Sequence, residues 1–450
     1  MAKDKDTAFL GHPTGLGWLA ASEFWERFSY YGMQTLLVLY VTHYLLTGDH
    51  SSHVLGFGQF HSFLNFLNGR ELSGPALASA TYGFYGSFVY ITPLLGGLLA
   101  DRLIGRTAAV TTGALLMVLG HFLMAFDASF VLALLCLLLG VGCFKGNIAA
   151  QVGDLYATDD LRRADAFQIY YMGIQLAGMV APLVCSTLGE GYAWHLGFGA
   201  AGIGMLIGLL VYLKGRPTFP KEVFRKDGEV KRPPLTARDV RSMIVLAFLV
   251  PVIALALLGN MQIFGAYLLW GERNFNLVFF GKTMPVGWLV SLDGFISFIT
   301  MATSVMFWRW YGKRRKEPDE VTKMSIGICI AAGAPLLLAV ASMMVASTGH
   351  PVTLGWGVAF HVINDIGFGN ILPISLALYS RCAPKGWESF MVAVSYLQLA
   401  LAVYLAGNLG GLLGTMPDSQ FWLMHVGIMI ASAVILVTVR SVTGKVLAPA

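Results

Sequence analysis

Charge is scarce in this sequence. Asp, Glu, Lys and Arg make up only 12% of its 450 residues, where a soluble globular chain carries about 25%. Too little charge remains to solvate a surface, which excludes an ordinary water-soluble protein. Cysteine is also sparse: Cys136, Cys143, Cys185, Cys329 and Cys382 all lie in or at the edge of hydrophobic segments. Their spacing provides neither a disulfide framework nor a thiolate metal site. No serine or cysteine nucleophile stands beside a histidine in a catalytic pattern, and there is no phosphate-binding loop. No polar segment is long enough to fold as a soluble domain. These absences argue against an enzyme and against an ATP-driven pump. The net charge of +5 comes from loops and forms no nucleic-acid patch.

What the chain has instead is apolar length, with 56% hydrophobic residues and 52 glycines. A helix needs about 20 apolar residues to cross a bilayer. Such runs recur at 17–42, 76–100, 106–126, 130–152, 166–188, 193–213, 240–270, 285–308, 324–346, 353–381, 388–413 and 420–439, giving twelve expected spans in an all-α membrane protein. With both termini cytoplasmic, 25 of the 30 Lys and Arg fall on the cytoplasmic side, while Arg70, Arg273 and Lys282 fall outside and Arg27 and Lys145 fall within spans. That bias follows the positive-inside rule. Met1–Gly17 has no apolar core, so the first helix is expected to act as its own insertion signal.

The long polar stretch KGRPTFPKEVFRKDGEVKRPPLTARDVRS, residues 214–242, carries four prolines and nine basic residues. It suggests an N-terminal six-helix bundle (1–213), a basic cytoplasmic linker (214–239) and a C-terminal six-helix bundle (240–450). Two joined six-helix halves are the plan of a secondary transporter, whose substrate site is expected near the bilayer midplane. Between the first two spans, Phe57, Phe60, Phe63 and Phe66 recur every third residue, as in a short helix lying on the membrane surface. His50, His53 and His61 in the same segment are read as solvated, not as metal ligands.

EFWERFSYYG, residues 23–32, places Glu23, Glu26 and Arg27 on one face of the first span. A charge at that depth persists only when it is paired, hydrated or needed. The cluster is either a proton switch or a static ion cluster that fixes the first helix. Lys145, in GCFKGNIAA in the middle of the fourth span, favours the switch, because an isolated lysine there would be costly.

EFWERFSYYG also resembles the ExxERFxYYG signature of the proton-dependent oligopeptide transporter (POT/PTR) family of the major facilitator superfamily. The likeness continues through YITPLLGGLLADRLIGR (90–106), GCFKGNIAAQVGDLY (142–156), IYYMGIQLAGMVAPLVC (169–185) and the KMSIG and AP landmarks of the second half. It covers nearly the whole chain. The resemblance implies a proton-coupled symporter that takes up di- and tripeptides by alternating access. It also implies location in the cytoplasmic membrane, the proton as coupling ion with no other cofactor, and a chain that acts as a monomer. Members commonly carry two further helices in the central linker, which is too short here to supply them.

In the first half the family's functional positions are filled: Glu23, Glu26, Arg27, Tyr30 and Tyr31, Tyr90 in the second span and Lys145 in the fourth. Asp101, Arg102 and Arg106 match the superfamily's cytoplasmic gate. The second half departs. Where members have a further first-helix arginine this chain has Gln34, and the seventh-helix glutamate is Met261; losing both ends of a salt bridge strands no charge. The fifth-helix asparagine reads Gln175, and the tenth-helix glutamate reads Phe368. Asp293 and Asp365 are candidate substitutes, and the spacing of His361 and Asp365 allows a His–Asp couple.

On this reading Arg27 and Lys145 draw the substrate carboxylate, with Tyr30, Tyr31, Gln34, Tyr90 and Gln175 along the peptide. Asp293 or Asp365 receives the amino terminus. Protonation of Glu23 or Glu26 releases Arg27. Two alternatives stay open: the same scaffold carrying an organic anion that lacks an ammonium group, and a non-transporting sensor.

Overall fold

The computed structural model describes residues 6–157, 160–220 and 234–443. Residues 221–233, half of the expected linker, lie outside the described residues. Each of the twelve expected spans is helical. In chain order the helices are α1 (Thr14–Tyr40), α2 (Phe57–Asn68), α3 (Gly74–Leu99), α4 (Arg106–Leu123), α5 (Phe130–Asp154), α6 (Arg162–Gly191) and α7 (Trp194–Gly215). Then come α8 (Ala237–Ala256), α9 (Leu258–Met261), α10 (Ala266–Asn274), α11 (Trp288–Gly312), α12 (Glu320–Thr348), α13 (Gly355–Gly369), α14 (Leu372–Arg381), α15 (Glu388–Gly410) and α16 (Asp418–Thr443). A two-residue hairpin, β1 (Val278–Phe279) with β2 (Lys282–Thr283), lies between α10 and α11.

Among the described residues, eleven helical segments are long and apolar enough to cross a membrane. The twelfth span is α1, 27 residues long. Its Glu23, Glu26, Arg27 and Gln34 lower its hydropathy, so length and not apolarity marks it. The lipid side of a span shows in α5, where Leu132, Leu135 and Leu139 are exposed while Ala133, Leu137 and Phe144 are buried. That is a helical stripe of two faces.

Hydrocarbon offers no partner to an unpaired backbone group, so helix ends and breaks need internal partners. The start of α8 has a capping box: Thr236 Oγ1 accepts from the Asp239 N–H, and the Asp239 carboxylate accepts from the Thr236 N–H. Asp319 caps α12 by accepting from the Thr322 N–H at 2.8 Å, and α12 ends at Gly349, whose φ of 70° suits glycine. Pro93, Pro182, Pro251 and Pro335 all sit inside unbroken helices. The seventh span instead breaks between α8 and α10, through a 3-10 turn at Gln262–Phe264. The Gln262 side chain repairs the break, donating to the Ala406 carbonyl at 3.0 Å and accepting from the Ala266 N–H at 3.3 Å. Its amide also donates to His425 Nε2 at 2.9 Å. The tenth span breaks at Asn370, whose amide donates to the Ile366 carbonyl and whose oxygen accepts from Trp308 Nε1 at 2.6 Å.

The chain forms two compact units, Met1–Phe63 with Ile91–Glu229, and Leu64–Tyr90 with Val230–Ala450. In the first, α1 packs on α6 and α7, and α4 on α5 and α7. In the second, α12 packs on α13 and α16, α11 on α13, and α8 on α15 and α16. The second unit also takes in the first part of α3, where Gly83 lies directly on Gly407 of α15. At one end of the first unit Asp127 gathers four partners: Tyr40 Oη at 3.1 Å, Tyr44 Oη at 3.2 Å, His50 Nδ1 at 3.1 Å and His195 Nε2 at 3.4 Å.

Candidate functional site

In the first unit α1 turns Glu23, Glu26 and Arg27 inward. All three are at most 3% exposed, the opposite of what lipid-facing residues would show. Arg27 binds Glu26 through both carboxylate oxygens: Nε meets Oε2, and Nη2 lies 2.6 Å from Oε1. Its Nε also lies 3.3 Å from Glu23 Oε1. The guanidinium stands 4.8 Å over the Tyr30 ring, and Tyr31 meets Tyr30 edge to face at 5.3 Å. Glu23 Oε2 is buried with no hydrogen-bond donor. Tyr170 of α6, absent from the sequence-based set, interacts with the same carboxylate. Lys145 of α5, partly buried, lies within the electrostatic reach of Arg27, Glu26 and Glu23. Two cations and two carboxylates therefore share one buried neighbourhood.

Gln34 is buried about two turns beyond Arg27 on α1, with its amide oxygen unpartnered, and Gln175 is half-buried on α6. Arg106, of the expected gate, pairs with Asp154 and lies 3.5 Å from Asp101, while Arg102 is exposed. Asp154 ends α5 and was not singled out by sequence, although it lies within the GCFKGNIAAQVGDLY stretch.

The second unit holds Tyr90, half-buried against its apolar core, and a polar cluster built by α10, α11 and α13. His361 does not couple to Asp365 on its own helix. Its Nδ1 lies 2.9 Å from Asp293 Oδ1 of α11, because α11 packs directly on α13. His361 Nε2 is 3.0 Å from the Tyr267 hydroxyl of α10. Asp365 is 2% exposed, with Oδ1 accepting from the Asn364 amide at 3.0 Å. Asp293 keeps 17% of its side chain exposed. Met261 and Phe368, at the positions where acids were expected, pack with the apolar core. No hydropathy signal marks Tyr170 or Tyr267, since a tyrosine costs a membrane helix little.

Buried ion pairs on helices that cross a membrane, in a bundle of this architecture, define a multi-pass membrane transporter. The POT family model matches residues 107–233. A di-/tripeptide transporter of Lactococcus lactis subsp. lactis (strain IL1403) is 30% identical, over 90% of this chain and 78% of its own length. A second, from Lactococcus lactis subsp. cremoris, is 28% identical over 87% and 88%. A crystal structure of a peptide transporter POT in complex with sulfate superposes with a TM-score of 0.83 at 25% identity, covering 98% of this chain and 96% of that one. The chain belongs to the POT family of membrane transporters. It is a multi-pass protein of the cytoplasmic membrane with the fold of the POT structures.

Proposed function

We propose that this transporter is a proton-coupled symporter of small peptides, working by alternating access. The observation that carries the reading is the charge balance around Arg27. Two carboxylates hold one guanidinium, and Lys145 brings the neighbourhood to neutrality. A proton on either carboxylate leaves one positive charge in excess, which then favours the carboxylate of a peptide. Glu23 is the better acceptor, since its Oε2 has no donor while both oxygens of Glu26 are engaged. Proton entry and anion binding are thereby tied. The curated relatives named as di-/tripeptide transporters support peptide as the cargo. In the second unit Asp293 is the partly exposed acid available to an ammonium group.

The test is uptake of a dialanine-type peptide into reconstituted vesicles with and without an imposed pH gradient. Wild-type uptake should rise with the gradient, and Glu23→Gln should lose that response while still exchanging peptide across the membrane. Wild-type uptake that ignores the gradient would refute the coupling. Competition by the amino-acetylated peptide as strong as by the free one would favour an organic-anion cargo, since no ammonium anchor would then be in use.

A further inference from the structure

The cluster on α10, α11 and α13 has a hydrogen-bond inventory that does not close with ordinary carboxylates. Asp365 is almost fully buried, and its Oδ1 accepts from Asn364. Its Oδ2 is buried with no donor, although the Asp293 carboxyl lies within hydrogen-bonding reach. Two carboxylates that close cannot both stay ionised away from water. The unpartnered oxygen closes its inventory if it is a hydroxyl donating to Asp293.

The rest of the cluster fits the same assignment. An ionised Asp293 Oδ1 accepts from His361 Nδ1–H, which leaves Nε2 of the neutral imidazole to accept from the Tyr267 hydroxyl. Asp293 then accepts from both sides and carries the one negative charge. The titratable groups gathered here are Asp293 from α11, His361 and Asp365 from α13, and Tyr267 from α10. One ligand atom from each of Asp293, His361 and Asp365 lies within 4.8 Å of the others. A divalent metal is the competing occupant. Ligands about 2.0–2.1 Å from a tetrahedral zinc stand about 3.3 Å apart, whereas His361 Nδ1 and Asp293 Oδ1 are 2.9 Å apart, a hydrogen-bond distance.

We propose that Asp365 and Asp293 hold one proton between them, with Tyr267 and His361 holding Asp293 in place as the acceptor, as a proton-binding site of the second unit separate from the Glu23–Glu26–Arg27 cluster. The proton lies on Asp365 Oδ2. When it leaves it passes to the Asp293 carboxylate, and the partly exposed Asp293 is the exit. This site goes beyond the peptide reading and does not depend on it.

Infrared difference spectroscopy of the purified protein tests the assignment without transport. Wild type at neutral pH should show a protonated-carboxyl band that disappears in Asp365→Asn. In Asp293→Asn the band should remain but move, because the hydroxyl has lost its charged acceptor. Should Asp365→Asn fail to fold, the Asp293→Asn spectrum decides alone. A band unchanged in either variant overturns the proposal, as does one equivalent of chelator-removable metal in the purified wild type. Failure of the symport reading would appear separately, as gradient-independent uptake with this band intact.

Discussion

Replacing Glu26 by glutamine probes the ion cluster on α1. Glu26 meets Arg27 with both oxygens, one of them at 2.6 Å, and neither residue is more than 3% exposed. Removing one partner of a buried pair costs about 3–5 kcal/mol, because the other charge is stranded. Here Glu23 Oε1 remains 3.3 Å from Arg27 Nε, so part of the charge stays compensated and the loss should be about 3 kcal/mol, the low end. Glu23→Gln removes one longer contact and should cost about 1.5 kcal/mol, the lower figure for a hydrogen bond to a charged group. The double variant strands the arginine from both carboxylates, and should exceed the sum of the single losses by about 1 kcal/mol. Unfolding of the purified protein in mixed micelles with rising SDS, followed by tryptophan fluorescence at fixed pH, measures all three. Additive losses, or a larger loss in Glu23→Gln than in Glu26→Gln, would refute the shared-arginine geometry.

Two further outcomes are expected. Gly83→Ala places a Cβ 2.8 Å from the Gly407 Cα and 3.2 Å from the Tyr404 carbonyl oxygen, both backbone atoms of α15, and should cost about 1–3 kcal/mol as overpacking does. Gly97→Ala meets nothing within 4 Å and should be neutral or up to about 1 kcal/mol stabilising; the same SDS titration separates them. Asp319 precedes α12, outside the span. Burial opposes its ionisation, but the Thr322 N–H and hydroxyl and the Arg440 guanidinium at 2.5 Å together hold its carboxyl below the usual range. With the folded-state value depressed, its contribution is present above the unfolded value and fades as pH falls through the folded one, below about pH 4. Unfolding midpoints across that range should fall in wild type and change less in Asp319→Asn, which keeps a capping side chain but no titrating charge.

The spans were legible because crossing a bilayer demands apolar length, and length survives in any reading frame of hydropathy. The breaks were not. Four prolines lie in continuous helices, while the seventh and tenth spans interrupt where the side chains of Gln262 and Asn370 make hydrogen bonds to distant parts of the chain. Glu23, Glu26, Arg27 and Lys145 stood out against an apolar background, since charge in lipid needs a reason. The partners Tyr170 and Tyr267 did not, because their roles come from which helices pack together. His361 shows the same limit: its spacing pointed to Asp365, four residues away, and packing gave it Asp293, 68 positions distant.

Asp127 distributes one acceptor among Tyr40, Tyr44, His50 and His195. That arrangement makes substitution tolerance unequal around the cluster. Any one of the four partners can drift to another residue type while three still hold the junction, but a change at the acidic centre dissolves every contact at once. The acid is thus the position where drift has least latitude, although each ring and hydroxyl around it is chemically more elaborate.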